Sequence, residues 1–124
     1  MKHYSPTLPM QIEDIGNIRH FRFDISPITR EEAEEYGGDA EGYVFEEATV
    51  RGARFGLWDY PTLVTAIIRA HYSADEVEAI VANYLSSGNY EHIEEMNALQ
   101  LWRKHAKELA HEVFGSVDTQ NSNH

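Results

Sequence analysis

The chain contains no cysteine, which excludes disulfide staples and thiolate zinc centres. Bases are scarce. Ten Lys and Arg stand against 21 Asp and Glu, for a formal net charge of −11. A general nucleic-acid binder needs clustered cations to meet phosphates, so that class is set aside and no direct nucleic-acid binding is expected. No apolar run approaches the ~20 residues of a membrane-spanning helix. The opening MKHYSPTLPM lacks the apolar centre of a secretory signal, so a cytoplasmic product is expected, with no membrane partner. Also missing are a Gly-x-Ser-x-Gly elbow, a Gly-x-Gly-x-x-Gly turn and a Walker sequence, and with them the usual signs of nucleophilic or nucleotide chemistry.

What is present describes one ordinary globular domain. The length of 124 residues suits a single hydrophobic core. Pro6, Pro9 and Gly16 punctuate residues 1–17 and predict an extended arm. Residues 18–25 alternate, with Phe21, Phe23 and Ile25 on one face, which predicts a strand. Thr29 and Glu32 spell a capping box. A short helix over 29–36 follows, stopped by Gly37-Gly38. Tyr43, Phe45 and Val50 predict a second strand over 43–50, antiparallel to the first, with a bulge or an exposed edge where alternation breaks at Glu46-Glu47. Residues 51–60 read as a turn with a third strand over 53–58, or as an irregular packed loop.

Helical spacing begins at Pro61, a residue suited to a first helical position. The pattern predicts helices over 61–72, 74–86 and 90–114. The second starts at the capping box Ser73-Ala-Asp-Glu76 and ends at Gly88, read as a left-handed cap. Val77, Ile80, Val81, Tyr84 and Leu85 form its apolar stripe. Ile93, Met96, Leu99, Trp102, Leu109 and Val113 belong to the stripe of the third, which Gly115 ends. The polar residues 116–124 predict a disordered tail. The expected fold class is therefore α+β: a small antiparallel sheet or hairpin packed against a C-terminal three-helix unit, as a single domain over 1–115. Its parts are an arm (1–17), a β region with a short helix (18–58) and a helical region (61–114). The expected core comprises Phe21, Phe23, Ile67, Val77, Ile80, Val81, Leu99, Trp102 and Leu109.

Three constellations bear on function. Residues 31–47 hold eight acids, among them Glu31, Glu32, Glu34 and Glu35, and no base. Such a run is a solvated, solubilising face or an acidic surface for a basic partner. Phe55, Trp58 and Tyr60 form an aromatic cluster that either packs in the core or anchors an interface. His105, Glu108 and His111 contain one Glu-x-x-His spelling, but a di-iron bundle needs a second such motif and further carboxylates. No metal, cofactor or catalytic residue is therefore expected.

The stretch YPTLVTAIIRAHYSADEVEAIVANYL (60–85), followed by LWRKHAKELAHEVF (101–114), resembles small uncharacterised proteins encoded in bacterial prophages. In them a β segment, here GYVFEEATV, leads into Tyr-Pro-Thr, a helix, Tyr-Ser-x-Asp-Glu and a Trp-bearing helix. The resemblance covers about residues 43–114 and rests on capping and packing features. It implies a phage-derived structural or assembly accessory whose partner is a phage structural protein or a second copy of itself. The expected function is thus a non-enzymatic protein-interaction module. Two alternatives stand beside it. One is an acidic regulator or inhibitor of a basic host protein. The other is a small metal-assisted hydrolase using His105, Glu108 and His111.

Overall fold

The computed structural model describes residues 2–35 and 41–122. It consists of β1 (His3–Ser5), β2 (Ile12–Ile15), β3 (Ile18–Pro27), α1 (Arg30–Glu35), β4 (Tyr43–Arg51), a 3-10 turn (Ala53–Phe55), α2 (Tyr60–His71), α3 (Ala74–Ser86) and α4 (Tyr90–Ser122). The class is α+β, with a four-stranded antiparallel sheet and C-terminal helices. The chain divides into two compact units between Trp58 and Asp59.

The sheet runs in the order β1-β4-β3-β2, every neighbour antiparallel. The expected pairing of β3 with β4 is present, Phe21 opposite Ala48 and Phe23 opposite Glu46. Cross-strand partners share a face, so these residues point to the same side, where Phe21, Phe23, Val44, Ala48 and Val50 are buried. The Phe21 and Phe23 rings stack with centroids 5.6 Å apart.

Residues 3–5 and 12–15, expected as parts of an extended arm, instead form the outer strands β1 and β2. Pro6 and Pro9 lie in the connection between them, where no ladder hydrogen bond is required of them. The bulge expected at Glu46-Glu47 is on the other strand. β3 carries an extra residue between Phe23 and Ser26, and Asp24 there takes a left-handed φ of 52°. The alternation of β4 is unbroken because Glu46 is itself turned inward and buried.

The short helix forms as its capping box directs. The amide of Glu32 donates to the Thr29 hydroxyl at 3.1 Å, and the amide of Thr29 donates to the Glu32 carboxylate at 3.1 Å. Ala33 packs with Ile28 and Val44, and Tyr4 lies against them. The Tyr4 hydroxyl donates to the Glu41 carbonyl at 2.8 Å. Beside it, Gly42 has a φ of 130°, and a side chain there would come within 2.7 Å of the Ser5 carbonyl oxygen. Glycine is needed at that close approach. The expected helix stop at Gly37-Gly38 lies outside the described residues. Residues 53–58 form the 3-10 turn and an irregular loop rather than a third strand, and 54–57 are exposed rather than packed.

In the second unit α2 begins one residue earlier than Pro61, because Asp59 caps it by accepting from the Thr62 amide at 2.9 Å. Ser73 and Glu76 make the expected capping box of α3. That helix ends in extended backbone at Ser87, and Gly88 has no left-handed φ. α4 does not stop at Gly115 but continues to Ser122. A single glycine weakens a helix by about 1 kcal/mol without ending it. The expected tail therefore begins in helix, and residues 123–124 lie outside the described residues.

Ile67, Leu99, Ala106, Leu109 and Ala110 are buried. Trp102, expected in the core, is half-buried, and its indole N–H donates to the Ile67 carbonyl at 3.0 Å. The His71 ring stacks on it at 3.7 Å. The expectation of a buried stripe on α3 fails: Val77, Ile80 and Val81 are half-buried, and α3 has no buried residue. Helical phase gives the direction of a stripe but not how much neighbouring chain covers it. Ile80→Ala should accordingly cost about 1 kcal/mol, below the 2–5 kcal/mol of an enclosed aliphatic. Urea denaturation of the variant checks this.

Candidate interaction surface

The acidic run of 31–47 is answered inside the fold at several points. Glu32 closes the α1 capping box and faces Lys2 at 3.5 Å. The backbone amide of Thr29 holds its carboxyl below the ordinary range. Glu46 is buried. Glu47 accepts from Arg22 at 2.9 Å, and Asp39 lies outside the described residues. Glu31, Glu34, Glu35 and Glu41 are exposed. The acidic surface is thus thinner than the sequence implies, because bases far away in the chain meet its members.

Arg22 is the centre of a charge network on the sheet face opposite Phe21. Its guanidinium donates to Glu13 on β2 at 2.6 Å, to Glu47 on β4 at 2.9 Å and to the Met10 carbonyl at 3.3 Å. The His20 ring lies 3.3 Å from the second oxygen of Glu47, off the alignment of a hydrogen bond. Burial pushes the Glu47 carboxyl up. The Arg22 hydrogen bond and the His20 contact outweigh that push and hold it below the ordinary range. These bonds tie β2, β3 and β4 together. The same guanidinium lines an open pocket of about 400 Å³ with Tyr4, Glu13 and Phe45.

The aromatic trio separates. Phe55 is 77% exposed. Trp58 is half-buried, with the Arg19 guanidinium 4.9 Å from its ring centroid. Arg19 is in turn held by Asp14 at 2.7 Å. Tyr60 belongs to the other unit. There it lines an open hollow of about 610 Å³ with Lys104, Lys107, Glu108, His111 and Glu112. Of the hydrolase alternative, Glu108 and His111 share this hollow, whereas His105 tilts against Trp102 at 5.5 Å. Among the described residues no three His, Asp or Glu side chains converge as a ligand set.

One group of exposed apolar residues falls outside the aromatic trio and the acidic run. It lies around the α3–α4 turn, where Tyr84 is 42%, Leu85 77% and Tyr90 72% exposed. Further along α4, Ile93 and Leu101 (68%) are exposed as well. Ile93, expected in the apolar stripe with Leu99, is instead exposed. At 100° per residue it falls well away from Leu99 and shares a face with Tyr90 and Leu101. The available signal was a set of large apolar residues bracketing the polar turn Ser86-Ser87-Gly88-Asn89.

No helix among the described residues is long and apolar enough to cross a membrane. No family model, curated protein or solved structure matches the chain.

Proposed function

We propose that the chain is a non-enzymatic protein-interaction module, a structural or assembly accessory of the kind found in prophages, acting in the cytoplasm or on the virion. The observation that supports this most is the exposed apolar set at the α3–α4 turn, Tyr84, Leu85 and Tyr90. Clustered large apolar side chains left in water mark surfaces that another protein covers. Aromatic residues among them suit interface anchors. The prophage context comes from the sequence resemblance over residues 43–114.

A second reading, an acidic regulator of a basic protein, is favoured by the exposed Glu31, Glu34 and Glu35 of α1. The two separate by salt. An acid-steered partner binds mainly at low ionic strength, because screening is short-ranged at physiological salt. Apolar docking persists.

The test uses purified protein and the products of the genes that flank its own, with binding also measured to itself. The expected result is at least one pair that survives physiological salt and weakens about tenfold with Leu85→Glu. Binding to none of them, itself included, overturns the module reading. Capture lost by reversing Glu31, Glu34 and Glu35, and untouched by Leu85→Glu, transfers the proposal to the acidic regulator.

A further inference from the structure

β1 and β2 lie at opposite edges of the sheet, so the chain between them has to cross it. Three strand spacings make that crossing about 14 Å. Residues 6–11 form the strap that spans it, and Pro6 and Pro9 keep the strap from joining a ladder. It passes over the face opposite Phe21, because the Met10 carbonyl accepts from Arg22 on that face at 3.3 Å. Strap and sheet do not close fully on each other. The open pocket of about 400 Å³ lies between them. Thr7, Leu8 and Met10 line it from the strap, and Arg22, Glu13 and Phe45 from the sheet.

The Arg22 side chain is only 13% exposed, yet its donors are not all taken. Nε donates to Glu47, and Nη1 to Glu13 and Met10. Nη2 makes no bond among the described residues. Glu13 meets Arg22 through Oε1 and also has its second oxygen uncommitted among the described residues. The pocket therefore holds a hydrogen-bond donor and an acceptor side by side.

The charges narrow the choice of ligand. Two carboxylates already balance the one guanidinium, so an added anion would be repelled, and an added cation would meet Arg22. A neutral group that accepts and donates in adjacent positions fits both, and a peptide backbone presents such a pair. The chain provides its own precedent in the Met10 carbonyl on Arg22. A sugar hydroxyl could make the same pair of bonds. Leu8 and Met10, 66% and 63% exposed on the strap, favour a ligand that also carries apolar side chains.

We propose that this pocket binds a short neutral peptide segment of a partner protein, with a carbonyl accepting from Arg22 and a neighbouring amide donating to Glu13. This deepens the interaction-module reading and rests on it, by naming what the partner contributes. The pocket and Leu85 belong to different compact units, so the two can fail separately.

NMR titration of the full chain is the test, with acetyl-Gly-Leu-Gly-amide as the probe and acetyl-leucine carboxylate and glucose as comparisons. Saturable shifts are expected at the Arg22 Nε–H and at the Thr7 and Met10 amides, with a dissociation constant of about 1 mM for so small a probe. Thr7→Phe puts a ring at the pocket wall and should weaken binding about tenfold. Thr7 is exposed, so the fold tolerates the substitution. Arg22→Lys keeps a cation but loses the planar fork of donors, and it should weaken binding as much. The Thr7 variant decides the matter if the Arg22 variant does not fold. No shift at about 10 mM probe overturns the proposal, as does binding indifferent to Thr7→Phe. Tighter binding of the carboxylate or of glucose than of the peptide also overturns it. If the peptide does not bind yet a flanking-gene product is held through Leu85, the pocket proposal falls and the module reading stands.

Discussion

Phe21→Ala should lower the unfolding free energy by about 4 kcal/mol. Phe21 is 0% exposed, in the middle of β3. Ala48 lies opposite it on β4 and Ile12 on β2. Removing the ring forfeits its burial and its stack on Phe23. It also leaves a void that Ala48 is too short to fill. Both strands flanking it are fixed by ladder hydrogen bonds, so collapse into the void is limited, which places the cost toward the upper part of the range for such substitutions. Domains of this size are stable by only about 5–15 kcal/mol, so the variant should be partly unfolded near 40 °C. Urea denaturation followed by far-ultraviolet circular dichroism gives the value. A loss under about 1.5 kcal/mol would mean that Phe21 does not sit at the centre of the sheet's packed face.

Arg22→Met should cost about 3 kcal/mol at neutral pH, for an electrostatic reason. Methionine keeps the apolar stem over Phe45, whose ring lies 5.9 Å from the guanidinium, but removes the cation. Glu47 is then mostly buried with its Arg22 partner gone and the His20 ring, 3.3 Å away, as its remaining neighbour. Taking away one member of an enclosed ion pair costs more than the pair contributes, because the remaining charge stays out of water. Glu13 is partly exposed, which keeps the cost at the low end. Replacing Glu47 by Gln in the same chain should recover much of the loss.

The dependence on pH gives this prediction a distinctive sign. In the native chain the Glu47 carboxyl is held below its ordinary range. Its contribution to stability is therefore full above the unfolded value of about 4.3 and is lost as pH falls through the lower folded value. Asp14, Glu32, Asp59 and Glu76 are lowered as well, so the native chain should weaken steadily on acidification. In Arg22→Met, burial acts on Glu47 without its largest opposing influence, and acid relieves the buried charge. The gap between native chain and variant should narrow from pH 7 to pH 4.5. A gap that widens would show that Arg22 does not act through these carboxylates.

Much of the architecture is legible locally. Thr29 and Glu32, and Ser73 and Glu76, announce their helices because a capping box is a contact between residues three apart. The alternation around Phe21 and Phe23 names the buried face of β3 for the same reason. What escapes notice is set by distant chain. β1 and β2 are three and four residues long, too short for a period to show, and exist because β4 and β3 accept them. Read from the sequence, Glu46 looks out of phase and suggests an irregularity on β4, whereas the extra residue is on β3. The strand is in phase, and the glutamate is buried. The run over 31–47 shows the sign of its charge but not that Lys2 and Arg22 answer it. On the functional side, Phe55 is exposed as an anchor must be, while Trp58 is engaged by Arg19. On α3 and α4, Tyr84, Leu85 and Ile93 belong to the expected apolar stripes yet are exposed. Helical phase does not show how much neighbouring chain covers a stripe.

The settings of the two tryptophans have an optical consequence. Trp58 lies in the first compact unit beneath the Arg19 guanidinium, and Trp102 in the second beneath the His71 imidazole. The chain therefore has one indole for each unit. Loss of sheet structure should change the emission of Trp58, and loss of helix packing that of Trp102. Denaturation curves of Trp58→Phe and Trp102→Phe, each read at the remaining indole, would then show whether sheet and helices come apart together or in turn.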